Sequence, residues 1–305
     1  MGSVGKGVSG FRSDERAARY LQLYDRTVEE NWPVEHDELD LPSRFGITHV
    51  RVSGTGQGVP LLLVHPTTGS SAGWYPLIGT LCAAERRVYT PDTIGGAGRS
   101  VHTAPIATGA DLATWLDEVL DGLELDRVHL MGYSEGGWIA ASHAAGSNRP
   151  ERLASLALIE PAGAITAVPA RFLAGMVLRG MRVMLSRDKP AAVRRFNRWM
   201  NGEVELTDAQ VELIEAAIGS FQQRLPTPSP LSDEQLRAIT APTLLVLGAD
   251  SRLHDAAAVR DRAQMLLPDV TVDMIADAGH GVGFQHPQQV AARLLAHARA
   301  HEPEH

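Results

Sequence analysis

From Leu61 onward the chain alternates short apolar runs with longer stretches of helical periodicity: LLLVH, RVYTP, VHLMGY, LASLALIE, TLLVLG and VTVDMIA. Short runs that do not alternate with polar residues suit strands buried on both faces. Strands separated by helices pair in parallel, and their crossovers are right-handed. The expected fold is therefore α/β, a doubly wound, mostly parallel sheet with its ligand site at the carboxyl ends of the strands. Four of those ends carry His65, Ser134, Glu160 and Asp250, and the last run leads within a few residues to His280. Residues 38–42 and 47–53 read as a hairpin entering the sheet. Phe11, Ala18, Leu21, Tyr24, Val28 and Trp32 recur at helical spacing, which predicts an amphipathic helix over 14–31 after a flexible start. Between Glu160 and Pro242 the alternation stops for about 75 residues of helical pattern, too long for a loop in a compact domain.

The third run ends in VHLMGYSEGG, where Gly132, Ser134 and Gly136 fit the G-x-S-x-G turn that holds a serine hydroxyl clear at the end of a strand. The flanking positions are small because a side chain there would meet neighbouring backbone. An apolar strand before the motif and a helical stretch after it give a weak string its structural context. With these residues the chain resembles the α/β-hydrolase family from about residue 38 to residue 300. The resemblance implies a helical cap between the sixth and seventh strands. The expected division is an N-terminal extension over 1–35, a core over 36–162 and 240–305, and a cap over 163–239.

A serine hydroxyl needs an imidazole to take its proton. In DAGHGVGF, after the last run, His280 stands where the family carries its catalytic histidine. The family's usual carboxylate lies three residues after the glycine that ends TLLVLG, and that position is Ser251. Three carboxylates remain as partners for His280: Glu160 in IEPAG, Asp250 one residue early, and Asp255 farther along. The oxyanion hole would take the amides of Thr67 and Glu135. Proline replaces the usual glycine at Pro66, but the Thr67 amide survives, and the Thr67 or Thr68 hydroxyl offers a further donor or a turn contact. The Glu135 side chain is expected to point toward Arg99 or His65, or to be functional. His65, Trp74, Tyr133, Met176 and Trp199 are the candidate pocket residues, with Tyr75 nearby in sequence.

Between residues 171 and 198 there are eight basic side chains (Arg171, Arg179, Arg182, Arg187, Lys189, Arg194, Arg195, Arg198) and one acid, Asp188, in a chain of net charge -8. On one reading Phe172, Leu173, Met176, Val177, Met181 and Met184 face the pocket or core while the arginines face water. On the other, the arginines attract an anionic substrate or an acidic carrier of an acyl group. No metal or cofactor is expected: there is no H-E-x-x-H, no Cys/His cluster and no dinucleotide fingerprint, and the glycine loop at 92–100 lacks the P-loop lysine. The acidic balance argues against nucleic acid. No apolar run approaches the roughly 20 residues of a membrane span. A lone Cys82 and no secretory pattern at the start point to the cytoplasm, without a membrane partner.

The function implied is hydrolysis of an ester, lactone or thioester through an acyl-enzyme on Ser134. Two alternatives stay open: a lyase, cyclase or epimerase on the same fold, motivated by the altered oxyanion turn and displaced acid, and a ligand-binding receptor. Dehalogenase and epoxide hydrolase chemistry are disfavoured, because such enzymes place aspartate where Ser134 stands.

Overall fold

The computed structural model describes residues 7–67 and 69–302. Eight strands form the main sheet: β1 His36–Ser43, β2 Gly46–Ser53, β3 Leu61–Val64, β4 Val88–Pro91, β5 Val128–Tyr133, β6 Leu153–Ile159, β7 Thr243–Gly248 and β8 Val270–Ile275. Their spatial order is β8-β7-β6-β5-β3-β4-β2-β1, with Val101–His102 pairing beside β2. The six strands from β3 to β8 run parallel, whereas β1 and β2 form an antiparallel hairpin whose register sets Asp40 opposite His49. Each parallel strand starts with one of the apolar runs, so the sheet follows the sequence pattern closely. No described helix is long and apolar enough to cross a membrane.

Every residue of β3, β5, β6 and β7 is buried, because helices cover both faces. On one face α3 (Gly109–Gly122), α4 (Glu135–Gly146) and α8 (Ala256–Leu266) bring Trp115, Leu116, Ile139 and Val259 against Leu130, Leu156 and Leu245. On the other, α1 (Asp14–Asn31), α2 (Tyr75–Cys82) and α9 (Pro287–Ala300) bring Tyr24, Ile78, Leu81 and Leu294 against Leu61, Leu63 and Val246. Each large aliphatic side chain so buried contributes about 1.5–3 kcal/mol, which is why uninterrupted apolar strands suit only a sheet covered on both sides.

Between β6 and β7 the chain forms α5 (Ala170–Leu185), α6 (Lys189–Asn201) and α7 (Asp208–Ser220). Val183, Val193, Phe196 and Val211 make a small core among them. Helix α1 starts on Ser13, whose hydroxyl accepts from the Arg16 amide at 3.3 Å, and packs along α7, where Arg26 pairs with Glu212 at 3.0 Å. Among the described residues, the segment before α1 is held rather than free, while residues 1–6 of the expected flexible start lie outside them. Gly10–Phe11 pairs antiparallel with Phe221–Gln222, and the Phe11 and Phe221 rings meet at 4.9 Å.

Candidate active site

The turn after β5 is built by close approach. A Cβ on Gly136 would stand 2.1 Å from the Val64 carbonyl oxygen, and one on Gly132 would stand 2.3 Å from the Gly136 oxygen. Only glycine lets the strand-turn-helix unit press against β3 this tightly. Ser134 is held at φ 55 and ψ -118. That conformation costs a non-glycine residue about 1–3 kcal/mol, and the surroundings fix it: the Ser134 amide donates to the Ile159 oxygen at 2.9 Å, and the Ala162 amide donates to the Ser134 oxygen at 3.0 Å. Glu135 begins α4, so its amide belongs to the first turn, which has no partner within the helix.

Glu160 follows β6 directly and is fully buried, also at positive φ (47). Its carboxylate is held by four donors. Oε1 accepts from the Gly248 amide at 2.8 Å and from His254 Nε2 at 3.2 Å; Oε2 accepts from the Ser251 hydroxyl at 2.5 Å and from His280 Nδ1 at 3.2 Å. Burial opposes its ionisation, but the hydrogen bonds from His254 and His280 and their charge outweigh burial and hold the carboxyl down at about 2. With Nδ1 turned to Glu160, the His280 ring has Nε2 free for the cavity, which both Ser134 and His280 border. Among the described residues no hydrogen bond joins Ser134 Oγ to His280. The Tyr133 hydroxyl donates to the His280 carbonyl at 2.6 Å and anchors that loop.

Of the three carboxylates weighed for His280, the structure brings Glu160 to it. Asp250 is exposed, and its own amide donates to Ala278, so the turn carries its side chain outward. Asp255 caps α8, accepting from the Ala257 and Ala258 amides. Ser251, in the position where the family pattern has its acid, supports Glu160 instead.

The cavity has a volume of about 450 Å³ and is mostly apolar. Tyr133, Tyr75, Met176, Thr67 and Glu135 border it; His65, Trp74 and Trp199 do not. His65 is a buried brace: its Nε2 accepts from the Thr93 amide at 2.9 Å, so Nδ1 carries the hydrogen and donates to the Pro66 oxygen at 2.9 Å. Burial lowers its pKa, in keeping with a neutral ring. Trp74 lies in the core below Tyr133, with ring centres 6.3 Å apart. Trp199 stands one layer behind the wall, stacked on Phe172 at 5.1 Å and capped by Arg179 at 4.3 Å. None of the eight basic residues from 171 to 198 borders the cavity.

Glu135 reaches neither Arg99 nor His65. Its carboxyl accepts from Thr67 Oγ1 at 2.7 Å and from Gln223 Nε2 at 2.9 Å, tying the turn after β3 to the segment that follows α7. The Thr67 hydroxyl is therefore engaged in bracing its turn; Thr68 lies outside the described residues. Burial raises the Glu135 pKa against the two hydrogen bonds, which pull the other way. A raised folded-state pKa means that the unfolded chain loses this proton first. Its burial therefore costs stability as pH rises through the usual carboxyl range. Glu135→Gln, which retains an acceptor for Gln223, is expected to raise Tm by roughly 2–4 °C at neutral pH. The gain should vanish below about pH 4, where both states of the wild type are protonated; thermal unfolding across pH checks this.

The strand order, with the elbow serine and Glu160 at neighbouring strand ends and His280 just beyond the last, defines an α/β-hydrolase architecture. The chain belongs to the alpha/beta hydrolase family, whose model matches residues 61–293. It is 30% identical to carboxylesterase YbfK of Bacillus subtilis over 297 residues, 94% of this chain and 95% of that protein. The crystal structure of that carboxylesterase aligns with a TM-score of 0.83 over 92% of this chain and 98% of that one, at 27% identity. A crystal structure of naproxen esterase from Bacillus subtilis aligns with a TM-score of 0.83 at 29% identity, covering 93% of this chain and 98% of the other. These relatives place the chain among carboxylic ester hydrolases.

Proposed function

We propose that this ester hydrolase works through an acyl-enzyme on Ser134, with His280 as general base and Glu160 as the acid that orients it. The observation that carries the reading is the bond from His280 Nδ1 to a buried, ionised Glu160. It fixes the tautomer whose Nε2 is an acceptor facing the cavity. Ser134 Oγ attacks the carbonyl carbon as His280 Nε2 takes its proton, and the amides of Thr67 and Glu135 receive the oxyanion. His280 then protonates the leaving alcohol. Water, deprotonated by His280, attacks the acyl-enzyme and releases the acid. The bond at 3.2 Å suits an unliganded site, in which such contacts tighten on substrate binding.

The helices between β6 and β7 act as a cap in this account: Phe172, Leu173 and Met176 of α5 and Phe196 and Met200 of α6 border the cavity beside Ser134. With an apolar lining, no Arg or Lys among the lining residues and a buried carboxyl at its floor, the cavity favours a neutral, apolar acyl group over an anionic one. The lack of a basic lining residue weighs against holding an anionic acyl group inside the cavity. Dissolved 4-nitrophenyl esters of increasing acyl length test this. kcat/KM is expected to rise about threefold to fourfold per added methylene until the cavity is filled, since each buried methylene contributes about 0.8 kcal/mol. Esters of half-acids, with a terminal carboxylate, should be poorer than neutral esters of equal length. A preference for the charged series would overturn the substrate reading and leave the triad reading standing.

A further inference from the structure

Helix α5 is apolar on both sides. Phe172, Met176 and Val183 point inward, to the cavity or to the core shared with α6 and α7. On the opposite side Val177, Leu178, Met181, Met184 and Leu185 are exposed, from 44% at Leu178 to 84% at Leu185, and Leu173, 42% exposed, stands at the edge between that side and the cavity wall. At 100° per residue these six fall on one arc about 140° wide, with only the small residues Ala170 and Ala174 among them. The reading that put Val177, Met181 and Met184 toward pocket or core is thus corrected: of that set Phe172 and Met176 are turned inward, and Leu173 borders the cavity from the edge of the exposed face. An outward face of this composition on a helix in water implies a partner.

The arginines identify the chemistry of that partner. Arg171 and Arg182 border one long edge of the arc, and Arg187 follows the end of the helix; all three are exposed and form no ion pair among the described residues. Of the other basic groups in this region, Lys189 pairs with Glu215, Arg194 with Asp208 and Arg198 with Glu203; Arg179 covers the Trp199 ring, and Arg195, on α6, is exposed without an ion pair among the described residues. A second copy laid antiparallel on the same face would set the arginine edge against its own counterpart, which is unfavourable. An apolar face edged by unpaired arginines is instead complementary to the acyl and headgroup layers of an anionic lipid surface.

We propose that α5 docks this protein on an anionic lipid surface, lying in the interface with Val177, Leu178, Met181, Met184 and Leu185 immersed and Arg171, Arg182 and Arg187 among the phosphates. A helix that lies in the interface needs no spanning run, so the absence of one leaves this mode open. The first turn of α5 carries Phe172 and Leu173 at the cavity wall, so docking would set the cavity beside the lipid acyl layer. The proposal concerns binding alone and does not depend on the esterase reading.

Co-sedimentation of the purified full chain with vesicles tests it. Binding is expected to phosphatidylcholine vesicles containing phosphatidylglycerol, with much weaker binding to phosphatidylcholine alone and loss as salt is raised. Replacing Arg171, Arg182 and Arg187 together with Gln should lower partition into the anionic vesicles on the order of 100-fold, from about 1 kcal/mol per basic residue. Replacing Val177, Met181 and Leu185 together with Gln should lower it by at least about tenfold. Hydrolysis of a dissolved short-chain ester by both variants should match wild type, which also shows that they are folded. No binding by wild type, equal binding to neutral and anionic vesicles, or undiminished binding by the apolar variant would each overturn the proposal. So would a wild-type dimer that the apolar variant dissociates without any vesicle binding, which would assign the face to a second copy.

Discussion

Ester turnover is expected to fall on the order of 10⁴-fold or more when Ser134 is replaced by alanine. The substitution removes one hydroxyl from a turn already shaped by Gly132 and Gly136, whose missing side chains let α4 approach β3. Backbone bonds from Ser134 to Ile159 and Ala162 do not involve the side chain and should persist. The thermal unfolding of the variant should therefore lie near that of wild type. On the proposed mechanism what is lost is the atom that forms the acyl-enzyme, and oxyanion amides alone would retain only a small residual rate over water. Turnover within about tenfold of wild type would show that no covalent step on Ser134 is needed, since the missing barrier contribution would be under about 1.4 kcal/mol.

The second large effect is expected at Glu160. Glu160→Gln keeps the volume of the side chain and one acceptor oxygen, but brings an amide NH₂ group into a site in which all four partners donate. Whichever oxygen the NH₂ replaces, two of the four donors face it and must lose their acceptor, rotate or change tautomer. If His280 is one of them, the ring takes the tautomer whose Nε2 already carries a hydrogen and cannot accept from Ser134. kcat should drop roughly 10²- to 10⁴-fold with KM little changed. Asp250→Asn, at an exposed side chain with no contact to His280, should stay within about twofold of wild type. Equal and small losses in the two variants would mean that neither carboxylate serves the histidine.

The contrast between these two carboxylates shows where sequence stops being informative. The sheet is legible because its parallel strands fall in the apolar runs and the burial of the five from β3 to β7 on both faces leaves little choice of topology. The elbow is legible because its glycines are required: a Cβ on Gly136 or Gly132 would come within 2.1 or 2.3 Å of a backbone oxygen. Glu160 and Asp250 both end a strand, and which one meets His280 depends on the local course of two turns, set by the positive φ of Glu160 and by the hydroxyl of Ser251 beneath it. His254, the second imidazole on that carboxylate, gave no sequence signal because its partner lies 94 residues away. Trp74 and Trp199 are large and aromatic as pocket residues often are, but depth within a packed layer has no periodicity to read. For α5 the pattern itself is ambiguous. A helix with apolar residues on two sides of an arginine stripe does not declare which side is buried, and the exposed face emerges only once Phe172 and Val183 are seen to face inward.

The nucleophile can be tested without knowing the natural ester. A fluorophosphonate reacts with a serine only where a base activates the hydroxyl and an oxyanion site receives the phosphoryl oxygen, so it reports Ser134, His280 and the two amides together. Incubation of the intact protein with such a probe, followed by peptide mass spectrometry, should yield one adduct per chain, on Ser134, with labelling slowed strongly in Glu160→Gln and absent in Ser134→Ala. A folded protein that remains unlabelled, or carries the adduct on another residue, would contradict the assignment of Ser134 as the nucleophile of this hydrolase.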